Sequence, residues 1–247
     1  MKSTELVGGP YVTASTNSMY SYAQKVGYNI SAIYGYKTDG LLQASDFAAD
    51  GTPLIPVISK AQPGDIKYVD FNNDKIIDGN DQTIIGNAVP KLNFSADIAV
   101  RYKNFDLEVL LQGTGQSDAV LLGMLANPLD MSFDGGIPTT YYSTRYWQPT
   151  RTDARFPRIT TSPANSKLTS DFWFENAAYM RIKFAQFGYN LASNSLKRVG
   201  ISNIRLYLNA QNPYTFSSLK IMDPESRGNQ WTYPVMQMYT IGANVKF

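Results

Sequence analysis

The densest cluster of chemically capable side chains runs from Asp70 to Asp81, reading Asp-Phe-Asn-Asn-Asp-Lys-Ile-Ile-Asp-Gly-Asn-Asp. Counted from Asp70, oxygen-bearing side chains fall at loop positions 1, 3, 5, 9 and 12, supplied by Asp70, Asn72, Asp74, Asp78 and Asp81. Ile76 stands where a backbone carbonyl would be the ligand, and apolar Ile77 follows it. That spacing is the one a calcium loop uses to wrap a hard cation in oxygens. Two departures count against it: Lys75 replaces the glycine of the sharp turn, and Asp81 is one carbon shorter than the usual bidentate Glu. No helical pattern leads in, because Pro63-Gly64-Asp65 lies just upstream. Two readings therefore stand, a weak calcium site, with affinity on the order of 10⁻⁴–10⁻³ M, or an Asx-rich turn cluster without metal.

Other chemistries are limited by composition. The 247 residues contain no cysteine and no histidine. Disulfides, thiolate metal sites, the serine-protease triad and the commonest general base are thereby excluded. No pair of acids sits at a recognisable catalytic spacing, so an enzyme is not expected. A formal net charge of +2 gives no reason to expect a nucleic-acid partner. Aromatic residues make up 13% of the chain, including 17 tyrosines, whereas charged residues reach only 17%. Such a surface suits interfaces and membrane girdles. No apolar run is long enough for a transmembrane helix. The first residues, Met1 to Leu6, lack the apolar core of a signal peptide, so a non-cytoplasmic protein would be represented here by a fragment.

The elements that must carry these residues read as strands. Phe94, Ala96, Ile98, Val100 and Tyr102 alternate with polar or small residues; Phe105, Leu107, Val109 and Leu111 do the same beyond Lys103-Asn104. Two such runs around a two-residue turn predict a β-hairpin, each arm close to the ~9–11 residues of a tilted membrane strand. A strand is expected from about 178 to 191, with a phase change and hence a β-bulge near Ala185-Gln186. Another covers 204–211. The chain closes on Tyr239, Ile241, Ala243, Val245 and Phe247, apolar at every second position. Residues 31–43 read as one strand entering a turn at Asp39-Gly40, and 119–125 as a helical turn or two. The strand faces carrying Asp97, Arg101, Asp106, Glu108 and Arg205 would look to solvent in a soluble sandwich and to a watery lumen in a barrel, where such charges often pair across strands.

Connections alternate in length: a turn at 103–104, a long loop over 113–170, a short link over 192–202 and a medium loop over 212–235. Outer-membrane barrels place long loops outside and short turns in the periplasm. That parity sends the final strand inward and leaves the C-terminus periplasmic. The long loop holds Tyr141, Tyr142, Tyr146 and Trp147, which either contact a ligand or a lid, or pack the loop onto the rim.

Four stretches carry a family resemblance: 34–43 (YGYKTDGLLQ); Pro63-Gly64-Asp65-Ile66-Lys67-Tyr68-Val69-Asp70 through 83–87 (TIIGN); 102–107 (YKNFDL); and 179–183 (YMRIK) with Gly188-Tyr189. Arg145-Tyr146-Trp147, Gln211-Asn212 and Phe247 follow in order. In these residues the chain resembles the C-terminal part of SusC/RagA-family TonB-linked outer-membrane transporters of Bacteroidetes. The resemblance implies an all-β fold, the last strands of a 22-stranded antiparallel transmembrane β-barrel with long extracellular loops, over residues 1–247 as one C-terminal barrel part. It implies an outer-membrane location, glycan or peptide uptake, a SusD-like lipoprotein lid, and a TonB complex that acts through a plug lying outside this chain. It makes Tyr239 to Phe247 a signal for the outer-membrane assembly machinery. The fragment alone is expected not to transport. The competing reading is a secreted, calcium-dependent glycan-binding or adhesin β domain.

Overall fold

A computed structural model describes residues 11–14, 21–24, 27–29, 32–58, 60–87, 89–121, 126, 129, 140–161, 164–191, 200–227, 232–233 and 235–247. Its described residues fall into two compact units. One lies within Met1–Val89, Asp118–Glu175 and Arg227–Gln230; the other within Pro90–Ser117, Asn176–Ser226 and Trp231–Phe247.

The second unit is a five-stranded antiparallel sheet. Its strands are β7 (Leu92–Tyr102), β8 (Phe105–Gly115), β11 (Tyr179–Leu191), β12 (Asn203–Ser217) and β13 (Met238–Lys246), in the order β13-β12-β11-β8-β7. The predicted hairpin is present, with Ile98 opposite Val109 and Tyr102 opposite Phe105. Lys103 takes the left-handed conformation that its two-residue turn requires (φ 52°).

Register sorts every side chain to one of two faces. Through the pairs Val109–Ala185, Leu107–Phe187, Phe187–Leu208 and Leu208–Ile241, one apolar face continues across β8, β11, β12 and β13. β7 extends it with Phe94, Ala96, Ile98, Val100 and Tyr102. This face is uncovered: Ile98 is 48% exposed, Leu208 49% and Ile241 84%. With each large side chain about half exposed, the apolar surface is on the order of 1,000 Å², beyond the few hundred Å² that a soluble monomer tolerates. Aromatic residues mark both ends. Phe105 packs on Phe187 and Tyr189 (ring centroids 5.6 and 4.7 Å) near the 103–104 turn, and Tyr214 packs on Phe216 (4.6 Å) toward the other end. An 11-residue strand such as β7 spans about 37 Å, or about 26 Å along the normal at a 45° tilt, the height of a barrel's lipid-facing band.

Several details differ from the sequence reading. The bulge falls between Ile182 and Phe184, ahead of Ala185-Gln186, so Phe184 lies on the polar side opposite Leu110. β12 runs on to Ser217 through Pro213, because left-handed Asn212 (φ 50°) lets the strand absorb the proline at an irregularity. The closing strand begins one residue early and ends at Lys246, with Phe247 86% exposed beyond it. Most of the 192–202 link lies outside the described residues.

The first unit is built from short strands. β1 (Tyr11–Ala14), β2 (Ser21–Gln24), β3 (Ala32–Tyr36) and β6 (Gln82–Asn87) form a sheet in the order β1-β2-β3-β6; β4 (Thr38–Leu41) pairs with β5 (Ile66–Tyr68), and β9 (Asp118–Val120) with β10 (Phe174–Asn176). Residues 32–41 thus make two strands rather than one entering a turn, with Asp39-Gly40 inside β4. Ala119-Val120, the start of the run 119–125 expected to be helical, is strand, since so short an apolar run has no period long enough to separate the two; residues 122–125 lie outside the described residues. A single helical turn, α1 (Thr140–Ser143), opens the aromatic segment. Buried Ile33, Leu42, Ile66, Leu121, Tyr142, Phe156 and Trp173 supply the core of this unit.

Candidate functional site

Asp81 governs the Asp/Asn loop. It is fully buried, and its carboxylate accepts from the backbone amides of Phe71 (2.8 Å), Asn72 (3.4 Å) and Asp78 (2.8 Å). Asp70 accepts from the amides of Asp74 (3.2 Å) and Lys75 (2.7 Å), Asn72 from Asp74 (3.0 Å), Asp74 from Ile76 (2.8 Å), and Asp78 from Asn80 (2.7 Å). These are Asx turns in series, the backbone being held by side-chain oxygens instead of a ladder. Lys75 takes the left-handed conformation (φ 67°) that a calcium loop gives to glycine, so the backbone fits that template. The ligands do not. Among the described residues no three acidic, His or Cys side chains are gathered to hold a metal. Ile77 anchors the loop in the core, whereas Phe71 and Ile76 are exposed.

The four loop aromatics divide into two pairs. Tyr142 and Trp147 are buried. Tyr142 stacks on Phe156 (4.4 Å), and burial raises its phenol pKa; Trp147 donates through Nε1 to Gln43 Oε1 (3.2 Å). The Trp147 ring also lies against Gly64, where a side chain would collide with it. These two pack the segment. Tyr141 and Tyr146 are half-buried, each beneath an arginine: Arg145 Cζ is 4.4 Å from the Tyr141 ring centre and Arg151 Cζ 5.3 Å from that of Tyr146. Nearby, buried Asp65 accepts from Arg158 Nε (2.7 Å) and the Gln62 amide (3.0 Å), tying three loop segments together with Asn165.

In the sheet, register places Asp97, Arg101, Asp106, Glu108 and Arg205 on the polar face together. One pair of them is joined: Arg205 donates to both oxygens of Asp106, which also accepts from Asn190 Nδ2 (3.2 Å). Gly188 makes the pair possible, since a Cβ there would strike the Asp106 carboxylate and Arg205. In the closing strand, Tyr239, Ile241, Ala243 and Val245 line the apolar face and pair with Ala210, Leu208, Leu206 and Ile204.

One cluster is absent from the sequence reading. Arg181, with a side chain only 1% exposed, donates through Nε to Thr215 Oγ1 (2.8 Å) and through a terminal nitrogen to Asp223 Oδ2 (2.6 Å). Its other terminal nitrogen lies 3.2 Å from Glu225 Oε1, an ion pair without an aligned hydrogen bond. Glu225 also accepts from Tyr179 OH (2.8 Å). The cluster straps residues 218–226 to the polar side of β11. An Asp-Pro-Glu turn three residues after a lysine was the one local signal, and it gives no hint of a partner some 40 positions away.

No family model matches the chain. TonB-dependent receptor P3 of Formosa agariphila is 28% identical over 235 residues, covering 90% of this chain and 22% of the relative. The curated relatives that the chain matches are TonB-dependent receptors. TonB-dependent receptor SusC of Bacteroides thetaiotaomicron is 26% identical, covering 99% of the chain and 23% of its own length. TonB-dependent receptor P26 of Formosa agariphila is 27% identical over 74% of the chain. The chain therefore spans less than a quarter of the receptors it matches. In fold it is similar along its whole length to chains of the RagAB peptide importer, with TM-scores of 0.68 in the open-open state and 0.65 in the closed-closed state, at 20% and 19% identity. It covers about a quarter of those chains (25% and 26%).

Proposed function

We propose that this chain forms wall strands and outer loops of an outer-membrane transporter that takes up oligosaccharides or peptides with energy delivered through TonB. The observation that carries this reading is the uncovered apolar face shared by five consecutive antiparallel strands, with aromatics at both ends. In water that face favours aggregation; in lipid it needs no cover, and the sheet satisfies its own backbone. The receptors and importer chains to which the chain is similar support the same reading. The polar face, with Asp97, Arg101, Asp106, Glu108 and Arg205, then borders the lumen. A SusD-like lipoprotein is the proposed partner at the outer face, the C-terminus lies in the periplasm, and the chain does no covalent chemistry.

The sheet has two unpaired edges, β7 and β13, which lipid does not tolerate. Transport therefore belongs to a closed barrel that includes strands beyond this chain. Fractionation tests the reading: the chain should sediment with membranes and require detergent for extraction. A soluble monomer without detergent would favour the secreted adhesin reading instead. In liposomes the chain alone should give no oligosaccharide uptake; uptake would overturn the need for a larger barrel. Removing Phe247 should lower the amount assembled in the membrane, and unchanged levels would remove its role as an assembly signal.

A further inference from the structure

The segment after α1 carries two guanidinium groups that have no acidic partner among the described residues. Arg145 donates to Thr144 Oγ1 (3.1 Å) and to the Tyr141 carbonyl (3.3 Å). Arg151 donates to the Thr144 carbonyl (2.6 Å) and twice to the Tyr146 carbonyl (2.9 and 2.6 Å). Both cations thus converge on one residue, Thr144. Among the described residues no carboxylate lies within 4.0 Å of either, and Asp153, two positions on, pairs with neither. The other two arginines of the segment contrast with them: Arg155 pairs with Glu175 (2.8 Å) and Arg158 with Asp65 (2.7 Å).

Both guanidiniums are held in place before any ligand arrives. Each lies over a tyrosine ring and is fixed by neutral carbonyl or hydroxyl acceptors, so neither charge is cancelled among the described residues. Two neighbouring like charges repel, and an anion that bridges them removes that repulsion while making charge-assisted hydrogen bonds. Exposed Ser143, Thr150 and Thr152 and half-buried Gln148, in the same segment, offer hydroxyl and carboxamide groups.

We propose that Arg145 and Arg151, seated on Tyr141 and Tyr146, form a subsite for the carboxylate or sulfate ester of an acidic oligosaccharide. The neutral groups around them take sugar hydroxyls. This rests on the glycan branch of the proposed function and narrows it to anionic chains.

The test is direct binding to the detergent-purified chain, using an oligouronate, a sulfated oligosaccharide, a neutral oligosaccharide of equal length and an acidic peptide. The two acidic sugars separate carboxylate from sulfate ester as the preferred group. Acidic sugar should bind at least tenfold more tightly than neutral sugar, and the preference should shrink between 50 and 500 mM NaCl. Arg145→Gln, at an exposed side chain, should weaken acidic-sugar binding about tenfold and leave neutral-sugar binding unchanged; Arg145→Lys should recover part of the loss. Tryptophan fluorescence of each variant checks that the segment stays folded. Equal binding of acidic and neutral sugars, a folded Arg145→Gln variant that binds acidic sugar normally, or preference for the acidic peptide would each overturn the subsite. Neutral-sugar binding without acidic preference would leave the glycan reading standing, whereas no binding to any sugar would remove both.

Discussion

Replacing Arg181 with Met should release the strap over β11. The substitution roughly keeps the buried stem but removes the cation that Thr215, Asp223 and Glu225 surround. Breaking a buried ion pair by deleting one partner costs about 3–5 kcal/mol. The acids here keep some access to water, with side chains 18% and 32% exposed, so the lower end, about 3 kcal/mol, applies. At about 1.4 kcal/mol per decade, local opening of residues 218–226 should become on the order of 100-fold more frequent. Amide hydrogen exchange reads this directly at Leu219, bonded to Ser217 Oγ at the end of β12, and at Glu225 and Ser226, both bonded to Asp223. Exchange at central amides of β11 and β12 should hardly change. In the double-mutant cycle with Asp223→Asn, the coupling should reach about 1.5–3 kcal/mol. Exchange altered less than threefold at 219–226, or effects of the two substitutions that simply add, would refute the strap.

Other outcomes follow from particular contacts. Asp81→Ala leaves the amides of Phe71, Asn72 and Asp78 without an acceptor, and should destabilise the first unit by about 2–4 kcal/mol in a denaturant titration. The Asx-turn reading predicts that millimolar calcium leaves the loop's exchange protection unchanged; a calcium-dependent rise would support the metal-loop reading. Gly188→Ala pushes Asp106 and Arg205 apart and should cost about 1 kcal/mol, with much of the cost absent in an Asp106→Asn background. Burial holds the phenols of Tyr68 and Tyr142 above the usual tyrosine value of 10.0. Folding therefore favours their protonated forms, so their contribution is complete below about pH 10 and is lost as pH rises above it. Unfolding midpoints should fall above pH 10, and less steeply in Tyr142→Phe.

The five-stranded sheet was legible because it obeys a period of two. Ile98, Val100, Leu107 and Ile241 announce one face, and Lys103-Asn104 announces the turn. The pairing of β7 with β8 followed from the two-residue link between them. What escaped depends on distant partners. Nothing local to Pro213 shows that β12 continues past it, since a left-handed Asn212 beside a bulged neighbour makes that possible. Gly40 reads as a turn until β5 supplies a partner across more than 20 residues. The loop residues were the hardest. Arg181, Asp223 and Glu225 look like ordinary surface charges, and Tyr142 looks no different from Tyr141, although one is buried on Phe156 and the other half-covered by Arg145. The Asp/Asn spacing leaves two readings open, because the same oxygens can serve a cation or backbone amides, and spacing does not choose between them.

The central claim is that the apolar face meets lipid and the polar face meets water. The chain has no cysteine, so single cysteines can be placed along Val100 to Asp97 and Tyr207 to Leu208 without a background. Each is labelled with an environment-sensitive fluorophore in outer-membrane preparations and exposed in turn to a lipid-borne and a water-borne quencher. Positions 98, 100 and 208 should be quenched from lipid, and positions 97, 99 and 207 from water. Equal quenching at adjacent positions, or water-borne quenching of the 98, 100 and 208 set, would contradict the account.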